Sequence, residues 1–185
     1  VTGLTPGATA YVIPTNTLES GFSVARAITV ATAKLTAGDV ILIEQQNSVC
    51  NSLDYGPVEW GQAEFDAIAT ATANDIIVVE AAGNGSVNLD AVACGSLFNT
   101  AVRDSGAIIV GAGAPLLHNR LYFSTYGSRV NVQGWGETVT TTGYGQAGLG
   151  NPSDPRQRYT TGFNGTSSAS PTVVGAILAI QGVLK

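Results

Sequence analysis

The stretch Ile76-Ile77-Val78-Val79-Glu80-Ala81-Ala82-Gly83-Asn84-Gly85 decides the fold. Its first four residues are apolar and branched, the pattern of a strand buried on both faces of a sheet. Small residues and glycines then break it into a turn. A similar run, Asp39 to Ile43, precedes it, and a third, Ala107 to Val110, follows. Between the first two lies a helical stretch, Gln62 to Thr72, with Phe65, Ile68 and Ala69 facing inward. Further upstream, Glu19 to Leu35 sets Val24, Ala27, Ile28, Ala31 and Leu35 on one helical face, with Ser20 as N-cap and Gly38 as the stop. Thr9 to Ile13 reads as a short strand ahead of it. This β-α-β-α-β order predicts an α/β fold, a parallel β-sheet flanked by helices.

Past Val110 the pattern loosens. Tyr122 to Val139 is rich in glycine and aromatic residues and reads as short strands, and Thr140 to Thr161 reads as a long polar loop. A last helix is expected from Ser167 to Leu184. The run Ala169 to Leu184 contains Ser, Pro, Thr, Gly and Gln, so it reads as a core helix and not a membrane span. No repeat and no linker divides residues 1–185, so the chain reads as part of one domain.

Composition narrows the function. Hydrophobic residues make up 44% and charged residues 11%, which excludes a disordered chain. A net charge of −5 argues against nucleic acid or an anionic membrane as partner. No basic start followed by an apolar block marks a signal peptide. Few Lys, no Met and many Thr, Ser, Asn and Gly suit a secreted bacterial protein. The two cysteines, Cys50 and Cys94, either pair or stay free; a secreted setting permits the pair.

Two segments carry chemistry. Gly165-Thr166-Ser167-Ser168-Ala169-Ser170-Pro171 stands at the mouth of the last helix. A serine there sits beside free backbone N–H groups at the positive end of the helix dipole, where an oxyanion is stabilised. For a lone serine at a helix start, plain N-capping is the better reading. The second segment is Ala81 to Gly85. In a parallel sheet, sites lie at the carboxyl ends of strands, so Asn84 stands at the working edge and its amide is a neutral donor. An Asn before Gly85 also suits a left-handed turn.

Together the two segments resemble the subtilisin-like serine proteases, the subtilases. Gly165 to Pro171 is similar to that family's nucleophile signature, and Ala82-Gly83-Asn84-Gly85 to the segment that supplies its oxyanion donor. Gly3-Leu4-Thr5-Pro6-Gly7-Ala8, Val110-Gly111-Ala112 and Phe123-Ser124-Thr125-Tyr126-Gly127-Ser128 resemble further strand and turn segments of the family. The resemblance implies that Ser167 attacks a peptide carbonyl, that Asn84 stabilises the oxyanion, and that Glu44, Gln45, Gln46, Ala81, Ala82 and Gly83 line the cleft for a polypeptide substrate. It implies a C-terminal portion of a single peptidase domain, because the family's catalytic Asp and His lie upstream and no His-Gly-Thr run is present. On this reading the chain begins after both, and a missing upstream segment or a second chain brings them. Without a base, Ser167 is a weak nucleophile.

The one histidine, His118, lies in Pro115-Leu116-Leu117-His118-Asn119-Arg120, expected as a surface turn. Glu44 stands where the family has a small residue. It either favours a basic residue at the cleaved position by charge pairing or only anchors the strand. Ser168 replaces a methionine common in the family, so peroxide is expected to spare activity. Asn84-Gly85-Ser86 and Asn164-Gly165-Thr166 match the N-glycosylation pattern by coincidence, being on proposed active-site loops. No cofactor is implied. Structural calcium is common in the family, but no loop carries a calcium-site pattern. The alternative is a non-catalytic subtilase-like domain, or an inactive fragment, that binds a peptide or protein partner. An esterase would need a second glycine, which Gly165-Thr166-Ser167-Ser168-Ala169 lacks.

Overall fold

A computed structural model describes residues 2–184. In chain order the elements are β1 (Asn16–Thr17), β2 (Gly21–Phe22), α1 (Val24–Thr32), β3 (Val40–Ile43), β4 (Gln46–Ser48), β5 (Tyr55–Pro57), α2 (Gln62–Ala73), β6 (Ile77–Ala81), β7 (Ile108–Gly113), β8 (Val132–Trp135), β9 (Val139–Thr142), β10 (Tyr159–Phe163) and α3 (Thr166–Leu184). Short 3-10 turns cover Val58–Trp60, Val92–Cys94 and Pro155–Gln157.

The expected α/β fold is present. Four strands form one parallel sheet in the order β3-β6-β7-β8. Helices α1 and α2 pack on one face, where Val24, Ile28, Ile41, Ile43, Ile68, Ala71, Ile76 and Val78 form a buried cluster. On the other face α3 packs through Ala169 and Val174 against Val79, Val110, Ala112 and Leu121. Because both faces are covered, the strands read as continuous apolar runs rather than alternating ones. A third cluster gathers Val49, Leu89, Phe98 and the Cys50–Cys94 disulfide. The disulfide closes 44 residues of chain and joins the loop after β4 to the Val92–Cys94 turn.

Four expectations are corrected. Thr9 to Ile13 is not a strand; Tyr11 and Val12 are exposed and no strand pairs with them. The first helix starts at Val24, not Glu19, and its N-cap is Ser23, whose Oγ accepts from the Arg26 N–H at 3.2 Å. Ser20 instead belongs to the turn between β1 and β2, where Gly21 has a positive φ that no helix allows. The helix ends at Thr32, short of Leu35, which still packs on the core. The polar loop 140–161 is shorter than expected, since β9 and β10 pair antiparallel across it. Finally, α3 is a core helix only in its first half: Ile180, Val183 and Leu184 are exposed.

Candidate active site

The working edge of the sheet brings together three segments far apart in sequence: the end of β3, the turn after β6 and the start of α3. The β6 turn is fixed first. Gly83 has φ +94°, and a Cβ on it would meet the Gly56 backbone at 2.6 Å, so only glycine lets the turn pass beside β5. Its N–H donates to Thr166 Oγ1 at 3.1 Å and its carbonyl accepts from the Thr125 N–H at 3.0 Å. Ala81 and Ala82 are buried at the strand end.

Asn84 follows, exposed at the edge. Its Oδ1 accepts from both the N–H (2.9 Å) and the Oγ1 hydroxyl (3.0 Å) of Thr166. Those two bonds occupy the amide oxygen and leave Nδ2 as the free donor. The Asn84 backbone N–H donates to Gln46 Oε1 at 2.9 Å, which ties the turn to β4. The Asn84 turn therefore reaches the nucleophile helix by its side chain and the cleft strand by its backbone.

Helix α3 begins directly at Thr166. Gly165 precedes it with φ +110° and is buried, with Asn84 Nδ2 at 3.3 Å from the place of a Cβ. Ser167 is half-buried in the first turn, and its Oγ donates to the Glu44 carbonyl at 3.4 Å, a long bond. No acidic residue occupies that turn, so its N-terminal dipole is uncompensated. Pro171 sits inside the helix, in the second turn, and has no N–H to donate to the Ser167 carbonyl one turn back.

Glu44 closes the group. Its carboxyl turns toward α3: Oε1 is 3.1 Å from Ser170 Oγ, and Oε2 is buried without a hydrogen-bond partner. Burial pushes its pKa up to about 7. Gln45 follows, half-buried, and Gln46 opens β4. The sequence-derived residues Ser167, Asn84, Glu44 and Gln46 are thus joined by hydrogen bonds into one group. His118 is not part of it. It occupies an exposed turn after β7 with φ +54°.

Sequence reasoning missed a buried charge cluster behind the site. Arg129 donates from Nε to Glu59 Oε1 at 2.8 Å and from Nη2 to Glu59 Oε2 at 3.0 Å, and Nη1 donates to Asn131 Oδ1 at 2.9 Å. The Ser105 hydroxyl also donates to Glu59. Glu80, on β6, accepts from the Glu59 N–H at 3.0 Å and has a second oxygen with no partner. Burial first and the Glu59 charge second push its pKa up to about 8. The one sequence signal was an acid inside an otherwise apolar strand. Among the described residues, no three His, Cys, Asp or Glu side chains cluster to hold a metal ion.

The same architecture occurs in solved structures. The chain is similar to a lanthipeptide protease (18% identity, TM-score 0.61, covering 94% of this chain and 56% of that one). It is similar to a cold-adapted subtilisin-like serine proteinase (21%, 0.59, 88% and 50%). It is also similar to the nisin leader peptidase NisP from Lactococcus lactis (22%, 0.54, 83% and 50%). The chain spans about half the length of these proteins. At such identities they establish a shared fold. No curated protein matches the chain by sequence. The sequence profile of the subtilase family matches residues 1–184, and the chain belongs to that family of serine peptidases.

Proposed function

We propose that the chain is the nucleophile-bearing part of a secreted serine endopeptidase. Ser167 Oγ attacks the carbonyl carbon of a peptide bond as its proton passes to a base. The tetrahedral oxyanion is held by Asn84 Nδ2 and the Ser167 backbone N–H. The C–N bond then breaks, the base returns the proton to the leaving amine, and water hydrolyses the acyl-enzyme on Ser167. The base, a histidine, and the aspartate that orients it come from a companion segment or second chain. The substrate lies extended along the cleft, pairing through backbone groups of Glu44 to Gln46, with Ala81 to Gly83 lining the other side. A structural calcium ion is not assigned to any residue.

The single observation that carries this reading is the pair of bonds from Thr166 to Asn84 Oδ1. They join residues 82 apart in sequence, place Asn84 beside the α3 N-terminus and leave its amide nitrogen free to donate. Simple capping of α3 does not require that partner.

The experiment is labelling with a serine-reactive phosphonate in the presence of the companion polypeptide, followed by peptide mapping. Labelling at Ser167, lost in Ser167→Ala, supports a peptidase. Peptide binding with no labelling at any pH supports a non-catalytic binding domain instead. The intact mass of the denatured sample shows whether a second polypeptide accompanies the 18.8 kDa chain.

A further inference from the structure

Ser170 Oγ has one proton and two oxygen neighbours. Glu44 Oε1 lies 3.1 Å away and the Thr166 carbonyl oxygen 3.0 Å away. A hydroxyl donating to the carbonyl one turn back, as helical serines do, has only lone pairs to offer Glu44. Both short contacts are well satisfied only when Glu44 itself carries a proton. Its other oxygen, Oε2, points the same way: it is buried with no donor, where a full charge would be costly. We propose that Glu44 is held as a carboxylic acid that donates to Ser170 Oγ, and that this bond positions Ser167 against the cleft strand until Glu44 ionises.

The bond acts on the nucleophile because Glu44 meets α3 twice. Its carbonyl accepts from Ser167, its carboxyl reaches Ser170, and Ser167 and Ser170 stand three residues apart on one face of the helix. Ionising Glu44 places an acceptor-only group against Ser170, which then gives up its bond to Thr166 or repels the carboxylate. The same Thr166 carries the bonds to Asn84. A shift of this turn therefore reaches both Ser167 and the oxyanion donor.

Burial favours the neutral form of Glu44 and outweighs the Ser167 hydroxyl and the positive chain terminus, which favour ionisation. Helix α3 brings no charged side chain from Thr166 to Leu184. Strand β6 brings Glu80, in register with Ile43 and itself holding its proton more tightly than an ordinary carboxyl. The turn after β6 brings the neutral Asn84, whose backbone N–H bonds to Gln46 two residues after Glu44. None of these elements supplies a cation. Burial raises the proton affinity so that ionisation falls near neutral pH, at about 7.

The proposal rests on the peptidase reading for the role of Ser167, but the state of Glu44 is measured without turnover. Infrared difference spectra of wild type minus Glu44→Gln are expected to show a protonated-carboxyl band near pH 6 that is lost near pH 8. Melting temperature is expected to fall over the same interval more steeply in wild type than in Glu44→Gln. With the companion bound, kcat is normalised to each protein's own value near pH 6. The ratio of wild type to Glu44→Gln then falls about tenfold by about pH 8, as a single ionisation near 7 requires. If Glu44→Gln does not fold, Ser170→Ala replaces it. Loss of the acceptor then moves the wild-type titration to lower pH. A carboxylate band near pH 6, or a kcat ratio flat with pH, overturns the proposal. A protein that shows the acid band and the stability change, yet cuts no peptide, overturns the peptidase reading and leaves the positioning bond standing.

Discussion

Asn84 can serve as an oxyanion donor because its amide oxygen is already engaged. With Oδ1 taken by Thr166, the side chain has one orientation, and the donor needs no reorganisation when charge develops. Asn84→Leu keeps the volume and removes the donor. It is expected to lower kcat by about 10²–10³, a magnitude borrowed from subtilisin, a member of the same family, with a smaller change in KM. A steady-state comparison with the companion bound checks this; an unchanged kcat would remove Asn84 from the oxyanion hole. Arg129 is a second residue-scale test. It is buried against Glu59, and Arg129→Met leaves that carboxylate without its cation. The expected cost is about 3–5 kcal/mol, seen as a lower urea midpoint. Adding Glu59→Gln recovers part of the loss, because the stranded charge goes with it. A double variant as unstable as the sum of the singles would show that packing, not charge, dominates there.

Among the elements, legibility followed how local the signal was. Strands β3, β6 and β7 are nearly continuous branched apolar runs, and burial on both faces writes itself into such runs directly. The start of α3 was legible for a similar reason, since Gly165, Thr166 and Pro171 are all local signals. The α1 boundary was not. Ser20 and Ser23 are equally good caps by composition, and only the β1–β2 pairing selects Ser23. The same limit applied to the site. Ser167 and Asn84 stand in short motifs, whereas Glu59 and Arg129 are 70 residues apart and no local pattern announces their pairing. The role of Glu44 was left open between a basic-residue pocket and an anchor. Its carboxyl contacts Ser170, 126 residues away, a partner that no local pattern announces. The disulfide belongs to this scale as well. By the chain-entropy model, closing 44 residues stabilises by about 4 kcal/mol. Since it joins loops following β4 and β6, Cys50→Ser with Cys94→Ser should lower the urea midpoint and loosen the cleft. Faster hydrogen exchange at residues 83–95 than in the wild type checks this. Equal exchange would mean that the Val49, Leu89 and Phe98 cluster holds the loops unaided.

At the scale of the molecule, two acids give the stability an unusual pH dependence. Glu44 and Glu80 hold protons in the folded chain that an ordinary carboxyl releases near 4.5, keeping them to about 7 and about 8. The unfolded chain releases its protons first. Their contribution is therefore complete below about 4.5 and lost as pH rises through the folded values. Melting temperature is expected to fall between about pH 5 and about pH 8, with Glu44→Gln removing part of the slope and Glu80→Gln another part. A melting temperature that rises steadily over that interval would show both acids ionised in the folded chain. The second property of the whole molecule is its open edge. Among the described residues β3 pairs on one side only, with β6, and its sequence is Val-Ile-Leu-Ile with no charge or proline to discourage further pairing. The last turns of α3 add exposed Ile180, Val183 and Leu184. An apolar edge strand without such guards recruits another chain. A companion strand seated on β3 would lie beside Glu44, next to Ser167, where the proposed mechanism puts its base. The chain alone is therefore expected to associate as its concentration rises, and the companion polypeptide to return it to a single stoichiometric complex. Size-exclusion chromatography with light scattering across a concentration series reads this. A chain that stays monomeric throughout, with its β3 amides protected from hydrogen exchange, would show that the edge is already covered and that the base approaches Ser167 from elsewhere.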